Sequence, residues 1–193
     1  MAGRRIPRRP VALFLDANVL YSACCRDLLI EASIAGLCRC HWSEEVLVEL
    51  EHALRRARPD VTPMQIGSLF AALASACPDA LLQTRPASDL TFPAMEDPAD
   101  AHVLLGAIKS GARVILTFNL RHFPRRLLAS RGLIAMTPAR WLCFLAKSAP
   151  STMVAIAERC RSRLVRPALT RAQHLEALRR SGLPRLADFL SRR

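Results

Sequence analysis

Three groups of oxygen-bearing side chains stand where this chain could do chemistry. The apolar run Val11–Leu15 ends in Asp16-Ala17-Asn18, and a second apolar segment ends in Thr117-Phe118-Asn119. Asp97 and Asp100 open the helical pattern that leads into that second segment. A carboxylate placed directly after an apolar strand is poorly solvated, and burying it without a partner is costly. Several such carboxylates in one crevice require a divalent cation, and an oxygen-only ligand set suits Mg²⁺ or Mn²⁺. Each group also has a plainer reading. Asp16 serves as a turn residue, Asp97 as an N-cap ahead of Pro98, and Asp100 as the acid reaching back in the same cap. Asn119 supplies a turn conformation. Singly, none of them selects the metal site.

The elements that would position these residues alternate between strand and helix. Val11–Leu15 is apolar throughout, as a strand buried on both faces must be. Asn18 is expected to cap a helix running through Ile34 to Gly36, and Leu37–Trp42 suits a second strand. Ser43 caps a helix with Glu44 and Glu45 in its first turn, ending near Arg58 ahead of Pro59. Thr62-Pro63-Met64-Gln65 is a capping box opening a helix to about Cys77. A short strand is expected over Ala80–Thr84, a loop over Arg85–Glu96, and a helix from Asp97-Pro98 to Ser110, with Gly111 just past its end. Arg113–Phe118 and Gly132–Met136 are further strands, and Pro138 opens a helix to about Ala146. This alternation predicts an α/β fold with a parallel sheet. After Ser148-Ala149-Pro150 the pattern turns to amphipathic helices, with a second capping box at Thr170–Gln173. Residues 150–193 are too few for a core of their own, so they form a helical appendage on the 11–147 domain or on a partner.

Composition narrows the partners. Lys and Arg number 28 against 16 Asp and Glu, a formal charge of +12. Thirteen of the 16 acids lie in residues 1–100, and none falls between Ala101 and Ala157, where eight basic residues stand. Such a surface favours a polyanion. The apolar run behind Arg4, Arg5, Arg8 and Arg9 is too short for a signal segment, so a soluble, cytoplasmic protein is expected. Seven cysteines without a C-x-x-C pair fit that placement and speak against a disulfide framework or zinc ribbon. Cys38-Arg39-Cys40-His41 is the one ligand-like cluster, and buried thiols on a strand face account for it.

Four segments together resemble a known family. Phe14–Leu20 (FLDANVL), Trp42–Leu50 (WSEEVLVEL), Asp97–Ile108 (DPADAHVLLGAI) and Val114–Pro124 (VILTFNLRHFP) are similar, in order, to motifs of the PIN domain. The likeness is greatest to VapC-type toxins of bacterial toxin–antitoxin pairs. The tail, with RPALT at Arg166–Thr170 and GLP at Gly182–Pro184, resembles the C-terminal helical extension of a subset of them. The resemblance implies a Rossmann-like three-layer fold, a central parallel sheet flanked by helices, with a C-terminal helical appendage.

It also implies roles. Asp16 matches the metal-binding acid of the first strand, Glu49 the acid on the helix after strand two, and Asp100 the third acid. Asn119 falls where members carry Asn or Asp. Helical-wheel geometry alone does not choose Glu49, because Glu49 and Glu51 flank opposite edges of the Val46–Leu47–Leu50–Leu54 stripe. The family pattern selects Glu49. One departure stands at His122, where many PIN domains carry a further Asp. Asp97 compensates if it turns inward, and His122 faces either the substrate phosphate or solvent. Asn18, Arg121 and His122 are the candidate substrate contacts. The implied activity is Mg²⁺- or Mn²⁺-dependent endoribonuclease action by a toxin held by a cognate antitoxin, with a homodimer by analogy. The competing reading is a PIN module that binds RNA or protein without efficient cleavage. A haloacid-dehalogenase-like phosphatase also opens on a strand and an Asp, but it wants a second Asp where Asn18 stands.

Overall fold

Five parallel strands form the sheet among the described residues, in the order β3-β2-β1-β4-β5. They are β1 (Val11–Leu15), β2 (Cys38–Ser43), β3 (Leu81–Leu82), β4 (Val114–Leu116) and β5 (Ile134–Met136). The computed structural model describes residues 10–83, 100–165 and 167–193. Asp97, the helix start at Asp97-Pro98, the loop expected over Arg85–Glu96, Thr84 and Arg166 lie outside the described residues.

The central strand is the most apolar one. In β1, Ala12 to Leu15 are buried, as a strand covered on both faces requires. It pairs with β2 from Val11 opposite Cys38 and with β4 from Leu13 opposite Val114. The chain builds outward from β1 through β2 to β3, then returns to the other side of β1 for β4 and β5. Strand order therefore reverses between β1 and β4. The crevice beyond the carboxyl ends of those two strands is the expected ligand position of such sheets.

The expected single helix after β1 is two, α1 (Ala17–Tyr21) and α2 (Ala23–Ile34), broken at Ser22 in extended conformation. Asp16, not Asn18, holds the N-cap position, and Asn18 lies inside α1. The freed Leu20 carbonyl at the break accepts a hydrogen bond from Arg26 at 3.0 Å. Ser43 caps α3 (Glu44–Ala57) by accepting from the Val46 N–H at 3.4 Å, as its type predicts. The Thr62–Gln65 capping box opens α4 (Pro63–Ala76), and both of its halves are made. Helix α5 (Ala101–Lys109) ends at Gly111, whose φ of 62° suits a glycine stop.

Close approach of α5 to the sheet depends on Gly106. A Cβ there would lie 2.2 Å from the Phe14 Cζ, inside the ring's van der Waals contact. The glycine thus lets α5 settle on β1, and Asp100 at its start comes down beside Asp16.

Helix α6 (Arg125–Ala129) leads to β5, and α7 (Pro138–Ser148) to the C-terminal helices α8 (Pro150–Ser162), α9 (Arg171–Arg180) and α10 (Pro184–Ser191). Helices α8 and α10 pack on the rest of the chain, and α9 packs on α10. Helix α8 lies against α2 and α7, and α10 against α9 and α7. Met153, Ile156, Ala157 and Cys160 of α8 join the same hydrophobic core as Leu28 and Leu29. An ionic lock reinforces the seam: Glu31 of α2, 2% exposed, meets Arg159 at 2.7 Å and also Arg163, both on or just past α8. No helix among the described residues is long and apolar enough to cross a membrane.

Candidate active site

Asp16 sits at the carboxyl end of β1, 4% exposed, and its Oδ2 is held from two sides. The Thr117 hydroxyl donates to it at 2.6 Å, and the Asn18 amide donates at 2.6 Å. Asn18 also links the strands: its Nδ2 reaches Thr117 Oγ1 at 3.3 Å, and its Oδ1 accepts from the Phe118 N–H at 3.1 Å. Thr117 in turn accepts from the Asn119 N–H at 2.9 Å. Both ends of the Asn18 amide are therefore engaged within the protein. That side chain, expected to touch substrate, here fixes Asp16 and the turn after β4.

An open cleft of about 520 Å³ lies above these residues. Asp16, Glu49, Asp100 and Asn119 all line it, so the four expected catalytic residues meet in one place. Glu49 comes from α3, which follows β2, and Asp100 from the start of α5. Each outer carboxylate has a histidine beside it. Glu49 Oε1 is 3.5 Å from His102 Nε2, and Asp100 Oδ2 is 2.5 Å from His122 Nδ1. Asp100 holds the N-cap position of α5 without a side-chain hydrogen bond to that helix's first turn, and the cap expected at Asp97 lies outside the described residues. Arg121 Nε points at His122 Nε2 across 3.1 Å. A nitrogen accepting from Arg121 carries no proton, which assigns the ring proton to Nδ1, donating to Asp100. His122 thus faces an acid of the cleft.

The electrostatics follow from this crowding. Burial raises the Asp16 pKa. The Asp100 and Glu49 charges add to that rise, while the Thr117 hydroxyl and the Asn18 N–H pull it part of the way back. A cation in the cleft would relieve that repulsion. Among the described residues no three His, Cys, Asp or Glu side chains are gathered tightly enough to hold an ion by themselves. Mg²⁺ asks for less: one or two carboxylates, with water and substrate phosphate completing its shell. Asp16 and Asp100 fit that requirement, and their oxygen-only chemistry suits Mn²⁺ equally. Cys38 and Cys40 are buried core residues, as expected of thiols on a covered strand.

Several contributors had no role assigned from the sequence. Thr117 is fully buried, and a hydroxyl at the end of an apolar strand is the signal that marks it. His102 lies two residues after Asp100 on a buried helix face. Tyr21, His52, Ala53 and Arg56 also line the cleft. The α3 residues among them stand three, four and seven positions beyond Glu49, so placing Glu49 places them.

The family model of the PIN domain matches residues 12–121, a span that includes Asp16, Glu49, Asp100 and Asn119. The model of the VapC50 C-terminal domain matches residues 138–192, opening at the first residue of α7, which packs on both α8 and α10. No curated protein and no solved structure matches the chain. The first match covers more than half of the sequence, and the chain belongs to the PIN domain family as a VapC-type member with a C-terminal extension.

Proposed function

We propose that the chain is a metal-dependent endoribonuclease, the toxin of a toxin–antitoxin pair. The observation that carries this reading is the meeting of Asp16, Glu49 and Asp100 in one cleft at the strand-order reversal. Asp16 and Asp100 would hold Mg²⁺ or Mn²⁺. When bound, the cation supplies positive charge against the phosphate and acidifies water. Asp97, outside the described residues, is a further candidate ligand.

The protein's own groups do the rest. Glu49 is the least enclosed of the three cleft acids, its side chain 43% exposed, and it takes the proton of the attacking water. Thr117 and Asn18 hold Asp16 in one orientation, so its charge is in place before substrate arrives. Asn119 lines the cleft and orients water or substrate. Exposed Arg121 receives phosphate while its Nε steadies His122. The acid-free span from Ala101 to Ala157 supplies salt-sensitive contacts to the RNA backbone. Partners in this account are RNA, a cognate antitoxin and a second copy of the chain.

The test is an assay of the purified full chain on structured RNA with Mg²⁺ or Mn²⁺, and with EDTA. Metal-dependent cleavage that disappears in Asp16→Asn and Asp100→Asn supports the proposal. RNA that is bound but left intact by the wild type rejects it in favour of a binding module. The contact of His122 with Asp100 favours that second reading, since it commits a ligand acid to a protein partner.

A further inference from the structure

We propose that the α3 end of the cleft is a subsite for an unpaired nucleotide beside the scissile phosphodiester, with Arg56 taking its phosphate and Tyr21 its base. This rests on the nuclease reading above and names the substrate form that the site accepts.

The cleft has two chemically different ends. Its acidic side chains come from the carboxyl end of β1 (Asp16), the second turn of α3 (Glu49) and the start of α5 (Asp100). Beyond Glu49 along α3, the lining changes to His52, Ala53 and Arg56, with Tyr21 of α1 beside them. Helix α1 packs directly on α3, which brings the ring and the guanidinium to the same wall.

Arg56 is uncommitted, unlike its neighbours. Arg55 pairs with Glu51 at 2.7 Å and Arg58 with Asp60 at 2.7 Å. Arg56 has no ion-pair partner among the described residues, and it is exposed. It stands seven residues after Glu49, about 10 Å along the helix axis. At that distance it meets a phosphate other than the one held at the carboxylates.

Tyr21 is 40% exposed, an aromatic face open at the edge of a polar cleft. The short side chains of Ala53 and Ala57 leave room for a flat ring against the α3 wall. An accessible aromatic next to a free cation is the make-up of a single-strand platform, where a base stacks and the backbone is neutralised. A base inside a duplex has its faces covered by its neighbours and offers Tyr21 nothing. The subsite therefore selects unpaired RNA.

The experiment measures binding by the full-length chain in EDTA. The probes are fluorescein-labelled mixed-sequence single-stranded RNA oligonucleotides and a duplex RNA of the same length. Tyr21→Leu is expected to weaken single-strand binding roughly tenfold, the loss of one stacked base, and to leave duplex binding within about twofold. Arg56→Gln is expected to lower the slope of log Kd against log salt by about 0.7, one phosphate contact on a single strand. Arg55→Gln, whose arginine is paired with Glu51, should match the wild type in both. Variants that bind single strands like the wild type, or lose duplex and single-strand binding equally, overturn the subsite. Retained RNA binding by Arg56→Gln with lost binding to a poly-glutamate peptide overturns it in favour of a protein partner. The expected shifts in a wild type that binds but does not cut uphold the subsite while rejecting the nuclease reading. A wild type that cuts, with unshifted variants, does the reverse.

Discussion

Thr117 Oγ1 donates to Asp16 Oδ2 across 2.6 Å, tying the carboxyl end of β4 to that of β1. The same oxygen accepts the Asn119 N–H at 2.9 Å. One fully buried hydroxyl thus orients the deepest acid of the cleft and shapes the turn that carries Asn119. Thr117→Val nearly keeps the volume and removes both of these bonds and the 3.3 Å bond from Asn18 Nδ2, leaving the Asn119 N–H without its partner. The expected cost is about 1–3 kcal/mol in urea melts, with weaker Mg²⁺ stabilisation. Thr117→Ser should restore most of both, because the hydroxyl is what matters.

Gly106 and Phe14 form a tight packing pair between α5 and β1. The Phe14 ring is completely buried and cannot swing away, so Gly106→Ala should destabilise by about 1–3 kcal/mol. Phe14→Leu on that background should recover part of the loss, and a double-mutant cycle by thermal melting measures the coupling. Additive effects would show that the two residues do not oppose each other.

Glu31 holds the C-terminal helices with an asymmetric pair of salt bridges. Its carboxylate is buried, while the Arg159 and Arg163 side chains are 45% and 66% exposed. Removing the acid lets both arginines return to water. Removing both arginines strands a buried charge. Arg159→Ala with Arg163→Ala should therefore cost about 3 kcal/mol or more, and Glu31→Gln clearly less. Denaturant melts of the three proteins order them. Truncation after Ala149 should destabilise the whole chain, since α8 buries Met153 and Ile156 in the shared core.

Much of the frame was legible beforehand because its signals are local. The apolar run of β1, the caps at Ser43, Thr62 and Thr170, and the stop at Gly111 are each set by a few adjacent residues. Asp16, Asp100 and Asn119 stood out by their places at element ends, whereas Glu49 needed the family pattern to separate it from Glu51. The break at Ser22 was hidden, because Asn18 through Cys25 is a continuous helix-compatible run and the carbonyl it frees is satisfied by Arg26. The hold of Thr117 on Asp16 spans 101 positions, the Glu31–Arg159 bridge spans 128, and His122 meets Asp100 across a strand. Spacing along the chain carries no trace of such pairings.

The pH dependence of stability should report on Asp16. Burial, with the Asp100 and Glu49 charges, raises its pKa above the ordinary value of 3.8. A carboxyl whose pKa is higher in the folded state binds its proton more tightly there. It supports folding at low pH, and that support is lost as pH rises from 3.8 through the raised folded value. Asp16→Asn can keep an oxygen at the Oδ2 position for both Thr117 and Asn18. In EDTA it should match the wild type at acid pH and exceed it by roughly 0.5–2 kcal/mol near neutrality. Melts across a pH series read the divergence; a variant less stable at neutral pH would show that the charge of Asp16 is not a burden.

RNA binding should weaken steeply with salt, since each neutralised phosphate releases counterions. The formal charge of +12 and the acid-free span supply the cations. Titrations between about 50 and 200 mM salt should give a linear log–log plot with a clear slope, and a flat response would remove electrostatics as the basis of binding.

Asp100→Asn tests whether the cleft acids form the proposed cation site serving RNA hydrolysis. The substitution is nearly isosteric and still accepts a hydrogen bond from His122. It removes one of the charges that raise the Asp16 pKa and one hard anionic ligand of the proposed cation. Thermal melts with and without Mg²⁺ or Mn²⁺, run beside RNA cleavage, give the answer. The wild type should gain Tm on metal addition and cut RNA. The variant should keep its metal-free Tm or exceed the wild type, show no metal-dependent gain, and leave RNA intact. A variant that is less stable without metal, yet still gains Tm with Mg²⁺ and cuts RNA, would contradict the proposed cation site.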